Sequence, residues 1–334
     1  MKTVNVLRIA AIQVAVAMGM VSCNLIDPDD EEDDDNNTDT ETGYVVSLNC
    51  TGEITDDSVI TSEMYEGKNL YYVQAYRVGD GYEKYAHGLF NVTDSMKITL
   101  EPGNEYMFKA TVVENGLERI KHSEDTPAYY GAPFMTALTN KFEYTSDFNG
   151  NYIGGGETET TGLLEGVFTR PSLNRYYGES EPYLANDSVR RDVDICMLKT
   201  AFALKITTEN FTEGTLKVRM DGAPEITMVY PETEFAALFA MENPEEAFKT
   251  DWNGEGEFTY NYSENVNINV VFIDENGEEQ PVGSINTEVV RNKERPLVVK
   301  LLQKLEPGEN GFDISIEDGG MIEDDEVVDF EGGM

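Results

Sequence analysis

The chain has 334 residues, enough for two domains that each bury a core of their own. Its 64 Asp and Glu against 24 Lys and Arg give a formal charge of -40, a field that repels a phosphate backbone and an anionic membrane face alike. That argues against nucleic acid as a partner.

The chain opens with an address. Lys2 and Arg8 flank the start of an apolar run over 9–20, and the small Ser22 stands before Cys23, the three-part layout of an export signal over residues 1–22. An apolar run of about a dozen residues falls short of the roughly twenty that a helix needs to cross a hydrocarbon core of about 30 Å. The segment therefore reads as a signal and not as an anchor. Met20, Val21, Ser22 and Cys23 resemble a bacterial lipobox, with Met where Leu is commoner. The resemblance implies cleavage before Cys23 and acylation of that residue. Acyl chains, at roughly 0.8 kcal/mol per buried methylene, would then hold the chain to a membrane without a spanning helix. An ordinary secretory signal followed by an incidental cysteine is the alternative. Residues 23–42 read as an acidic, disordered tether: 27–41 carry ten acids and no base, a block that repels itself and stays extended. The run is similar to the acidic signal that carries lipoproteins of Bacteroides-type bacteria to the outer face of the outer membrane.

From residue 43 on, period-two alternation and turn chemistry dominate. Residues 70–77, around Val73, read as a strand. Over 95–113, Met96, Ile98 and Leu100 share a face, Pro102 and Gly103 break the run, and Tyr106, Phe108, Ala110 and Val112 resume it, which predicts a β-hairpin with one buried face. A strand is predicted around Leu204. A hairpin follows, with Leu216, Val218 and Met220 before the break at 221–224 and Ile226, Met228 and Tyr230 after it. Only 231–248 reads as helix, with Pro244 splitting it. Val266, Ile268, Val270 and Phe272 then alternate towards the turn pair Asn276 and Gly277, and a last strand surrounds Val299. Many short strands, tight turns and missing crossover helices predict an all-β chain of β-sandwiches, not a parallel α/β fold. Irregular stretches over 147–162 and 176–192 place the division near Ser188, giving an N-terminal domain over 43–188 and a C-terminal one over 189–316. Residues 317–334 read as an acidic tail, since 317–331 carry eight acids and no base.

Chemistry-bearing constellations are sparse. His87 and His122 have no cysteine or acid at metal-ligand spacing and read as histidines of polar loops. Gly154, Gly155 and Gly156 lack the Lys and the strand-to-helix setting of a phosphate loop. The acidic runs lack the ligand spacing and central glycine of a calcium loop. No Gly-x-Ser-x-Gly nucleophile motif is present, and no pair among 64 acids stands out as a catalytic couple. No catalytic, cofactor-binding or metal-binding residue is assigned, and Cys23 is the site residue. Cys50 and Cys196 sit in apolar runs. An exported chain permits a disulfide, but the two fall in different predicted domains, and buried free thiols act as small hydrophobes. Tyr71, Tyr72 and Tyr76, with Tyr176, Tyr177 and Tyr183, form two clusters that would stack on sugar rings if exposed and line sheet faces if buried.

The segments at 175–189, 195–207, 212–228, 289–302 and 311–319, in that order, resemble the fimbrillin-like lipoproteins of Bacteroides-type bacteria, the type V pilus group. The resemblance implies two tandem transthyretin-like β-sandwich domains behind a lipidated leash. In stalk members a protease removes the first strand after an arginine and a strand of the next subunit replaces it. Here 43–54 would be the first strand and 60–77 the place for that arginine, yet after Cys23 the first base is Lys68 and the first arginine is Arg77. The expectation is an unprocessed lipoprotein on the outer membrane, facing outward, with a non-enzymatic role in fimbria-like assembly or adhesion. Its expected partners are the membrane, through acyl chains, and fimbrial subunits or surface ligands. A glycan-binding lipoprotein of a nutrient-uptake system is the alternative.

Overall fold

The computed structural model describes residues 43–56, 68–148, 168–186, 191–254, 257–303 and 312–318. Cys23, the signal, the tether and the glycines at 154–156 lie outside them. Ten described strands precede Thr200: β1 (Tyr44–Gly52), β2 (Leu70–Val78), β3 (Tyr82–Phe90), β4 (Lys97–Leu100), β5 (Glu105–Val113), β6 (Tyr129–Tyr130), β7 (Thr136–Ala137), β8 (Arg175–Glu179), β9 (Tyr183–Leu184) and β10 (Asp192–Lys199). Eight follow it: β11 (Ala201–Glu209), β12 (Thr215–Met220), β13 (Ile226–Val229), β14 (Glu234–Ala240), β15 (Ser263–Ile273), β16 (Glu279–Val290), β17 (Glu294–Gln303) and β18 (Phe312–Asp318). The chain is all-β, as its alternation predicts.

The two halves build their cores differently. The second half is a sandwich of two four-stranded sheets, β14-β11-β17-β18 and β13-β12-β15-β16. Phe202, Leu204 and Ile206 of one sheet meet Val218, Ile268 and Val270 of the other in one apolar interior. The first half is an eight-stranded sheet in the order β3-β2-β5-β8-β10-β1-β4, with β9 on β5, and beside it the two-stranded sheet β6-β7. The larger sheet curls until its inner face closes on itself, so that Val46, Leu48, Ile98 and Ile195 pack with Val73, Phe90, Phe108 and Val112.

Two expectations change here, a hairpin and a helix. Residues 95–113 do not form a hairpin, because β4 pairs with β1 whereas β5 pairs with β2 and β8. The apolar faces of β4 and β5 meet across the core, with the Pro102–Gly103 turn arching over its end. The predicted helix over 231–248 is strand in its first half. Phe235, Ala237 and Phe239 alternate onto the sandwich core while β14 pairs with β11, so packing overrides helix propensity. The helix, Pro244–Asp251, starts at the proline predicted to split it. Glu264 fixes that start by accepting the backbone N–H groups of Glu242 and Asn243, each at 3.0 Å, while the buried Arg170 pairs with Glu264 at 2.9 Å. Strand pairing passes from the first sheet to the second sandwich at Thr200, beyond Ser188, because β10 pairs with β1 and β8. At the far end β18 carries regular pairing to Asp318, into the stretch read as acidic tail.

The helix joins the halves. Ala247 and Phe248 pack with Tyr177, Leu198 and Leu173 on the outer face of the first sheet. Lys109 of β5 reaches Glu245 at 2.9 Å; burial works against the charge, yet Lys109 and Lys249 hold the Glu245 carboxyl below its ordinary value. Close approach of β8 and β10 explains Gly178, where an added Cβ would stand 2.2 Å from the Cys196 carbonyl oxygen. Gly178→Ala should therefore cost about 1–3 kcal/mol in urea unfolding, as overpacked interiors do; an unchanged midpoint would contradict this packing.

Candidate functional site

β1 is an interior strand of its own sheet. It pairs in parallel with β10 from Ser47↔Asp192 to Gly52↔Met197 and antiparallel with β4 from Tyr44↔Leu100 to Ser47↔Lys97. Tyr44, Val46 and Leu48 point into the core, and burying an aliphatic side chain of this size stabilises by about 1.5–3 kcal/mol. β4 joins the sheet through β1 alone. The first strand thus holds a second strand in place.

Its C-terminal end is tied to the other half of the molecule. Gly52 adopts φ +83° against the Met197 carbonyl, where an added Cβ would stand at 2.7 Å, and this turn delivers Glu53 to Arg291. Arg291 is fully buried at the end of β16. Its Nη1 donates to both carboxylate oxygens of Glu53, at 3.0 and 2.9 Å, its Nε to Asp251 and its Nη2 to the Thr259 carbonyl. Asp251, also fully buried, accepts further from Thr259 Oγ1 at 3.0 Å and from the N–H groups of Asn261 and Tyr262 at 2.8 and 3.0 Å. Glu53 also accepts from the Lys199 N–H at 2.7 Å, next to the switch between the halves. The Tyr260 ring lies 4.8 Å from the guanidinium carbon. One cation thus binds the end of β1, the end of the helix and the end of β16.

Nothing in the sequence pointed to this group. Glu53 and Arg291 are 238 residues apart and sit in no motif; the one trace is an acid directly after a strand-ending glycine.

The residues that the sequence did single out fall elsewhere. Cys23 is outside the described residues. Cys50 and Cys196 are free thiols, as expected, but not in different domains: they lie on adjacent strands. Cys50 shares a row with Ile195 and faces the core, whereas Cys196 shares a row with Thr51 and faces the other way, so the sulfurs cannot meet. Burial pushes the thiols up to about 12 and about 11. His87 is no loop residue. It is buried in β3, its Nδ1 2.8 Å from the Tyr72 hydroxyl and its Nε2 3.3 Å from Glu143. Burial lowers the His87 pKa and raises that of the Tyr72 phenol, so the phenol donates to Nδ1 and Nε2–H faces Glu143. His122 stacks on Tyr130 with ring centroids 4.9 Å apart. Tyr72, Tyr76, Tyr176, Tyr177 and Tyr183 are buried and Tyr71 half-buried, which removes the platform that glycan stacking by these clusters requires. Among the described residues no group of His, Cys, Asp or Glu is arranged to hold a metal ion, and no helix is long and apolar enough to cross a membrane.

No protein-family model and no curated protein matches the chain. Solved structures do. A proposed adhesin from Bacteroides ovatus matches with a TM-score of 0.39 at 15% identity, over 78% of this chain and 89% of its own. A fimbrial assembly protein from Parabacteroides distasonis matches at 0.37 and 11%, over 83% and 96%. The C-terminally truncated tip fimbrial protein of Porphyromonas gingivalis matches at 0.26 and 10%, over 76% and 95%. At scores and identities this low, the likeness carries no function to this chain.

Arg291→Met would leave the buried Asp251 and the half-buried Glu53 without their cation, a change that costs about 3–5 kcal/mol where buried pairs are broken. Urea unfolding should show that loss, and hydrogen exchange should accelerate at the β1 amides from Ser47 to Gly52. A loss below about 1 kcal/mol with β1 exchange unchanged would contradict the clamp.

Proposed function

We propose that this chain is an outer-membrane lipoprotein anchored through Cys23 and facing outward, with a non-enzymatic role in adhesion or fimbria-like assembly, as an anchor, accessory or stand-alone protein and not a stalk subunit. The observation that supports this reading over a stalk role is the seat of β1: paired on both sides, buried along one face and tied by Glu53 to Arg291. A subunit that polymerises by strand replacement has to give that strand up.

The distribution of basic residues supports the same reading. No arginine lies between Cys23 and Arg77. Arg77 belongs to β2, which is paired with β3 on one side and β5 on the other. Cleavage there would cut an interior strand and not a connection. Lys68, the one base before it, precedes β2 and pairs with Glu118 at 2.8 Å. The lipobox at 20–23 and the acids behind it supply the anchoring and outward-facing parts of the proposal.

Protease shaving of intact cells that express the native chain, with mass spectrometry of the membrane-bound remainder, tests the reading. The expected remainder begins with an acylated Cys23, and the chain beyond it is digestible from outside. A mature N-terminus near Lys68 would make this a stalk subunit after all.

A further inference from the structure

The open edge of the first sheet is occupied by side chains. β4 is its last strand, and its pairing with β1 turns the backbone groups of Lys97 and Thr99 away from the sheet, where a further strand would bind. Three tyrosine hydroxyls fill that place. The Thr99 N–H donates to Tyr144 Oη at 2.8 Å, and Tyr85 Oη donates to the Thr99 carbonyl at 3.0 Å. One residue beyond the strand, the Glu101 N–H donates to Tyr106 Oη at 3.1 Å. The rings stack edge to face in a row, 5.0 Å from Tyr106 to Tyr85 and 5.6 Å from Tyr85 to Tyr144.

The row draws on three separate parts of the chain: β5, β3 and the segment after β7. A bulge in β3 serves it. The register steps from Ala75↔Ala86 to Tyr76↔Lys84, which leaves Tyr85 as the extra residue, re-aimed across the gap towards β4. Burial, with Tyr106 and Glu101 adding to it, holds the Tyr85 phenol above its ordinary pKa, so it remains a donor.

We propose that the Tyr106–Tyr85–Tyr144 row stands in for a β-strand and closes the β4 edge to pairing with a second copy of this chain. The second copy is the occupant because the sequence along the β4 edge is complementary to itself. Antiparallel pairing centred on Thr99 sets Lys97 of each copy opposite Glu101 of the other and Ile98 opposite Leu100, with the two-fold symmetry of a closed dimer. Thr99 would exchange both of its hydrogen bonds with Thr99 of the other copy once the hydroxyls are gone. Arg77, now 2.6 Å from Glu101, lies beside the contact and stays paired.

The test uses the full chain carrying Cys23→Ser, so that no lipid drives association. Sedimentation velocity over a concentration series should show the native chain as monomer and Tyr85→Phe/Tyr144→Phe shifting to dimer. Adding Lys97→Glu, which sets like charges against Glu101, should restore the monomer. A double variant that stays monomeric, a dimer that Lys97→Glu leaves intact, or a native chain already paired through β4 overturns the proposal. Tyr144→Phe alone removes one exposed hydroxyl and should speed hydrogen exchange at the Thr99 amide by about tenfold or more, the opening of a local hydrogen bond. An unchanged Thr99 rate overturns it as well, whatever the double variant does.

Discussion

The buried guanidinium of Arg291 decides where the first strand ends. Bringing a cation and two carboxylates out of water costs several kcal/mol per ion, and that cost is offset only because the planar fork finds Asp251, Glu53 and the Thr259 carbonyl together. Such a group tolerates one geometry. It therefore transmits order from the end of the second sandwich to Glu53, from Glu53 through Gly52 to β1, and from β1 to β4, which has no other partner strand. The tyrosine row rests on β4 in turn. A fault at Arg291 would be felt at the far edge of the first sheet.

Much of the architecture was legible because sheets with one buried face write a period of two into the sequence. Val266, Ile268, Val270 and Phe272 alternate into the core as their spacing demands, and β12 and β13 form the hairpin that Leu216 to Met228 predict. Alternation says which residues face a core and nothing about which strand lies alongside. That is why Met96 to Val112 suggested a hairpin where the structure has two strands facing each other across an interior. It is also why Phe235 to Phe239 hid among good helix formers, since Ala, Leu and Phe at alternate positions serve either element.

The site was less legible than the fold, for a different reason. The case for Cys23 rests on its neighbours in sequence. The Glu53, Asp251 and Arg291 group has none, because its members come together only when two halves of the chain dock. His87 and the tyrosine clusters carried the opposite signal: residue types that suggest chemistry, spent here on packing and hydrogen bonds within the first sheet.

In the proposed function β1 stays with its own chain. It is tested most directly by replacing residues 59–65 with a site-specific protease sequence, cutting the folded protein there, and passing it through gel filtration under native conditions. The N-terminal piece should co-elute with the remainder, and Arg291→Met in the same cut protein should let it go. Release of the piece from the protein with Arg291 intact would contradict it.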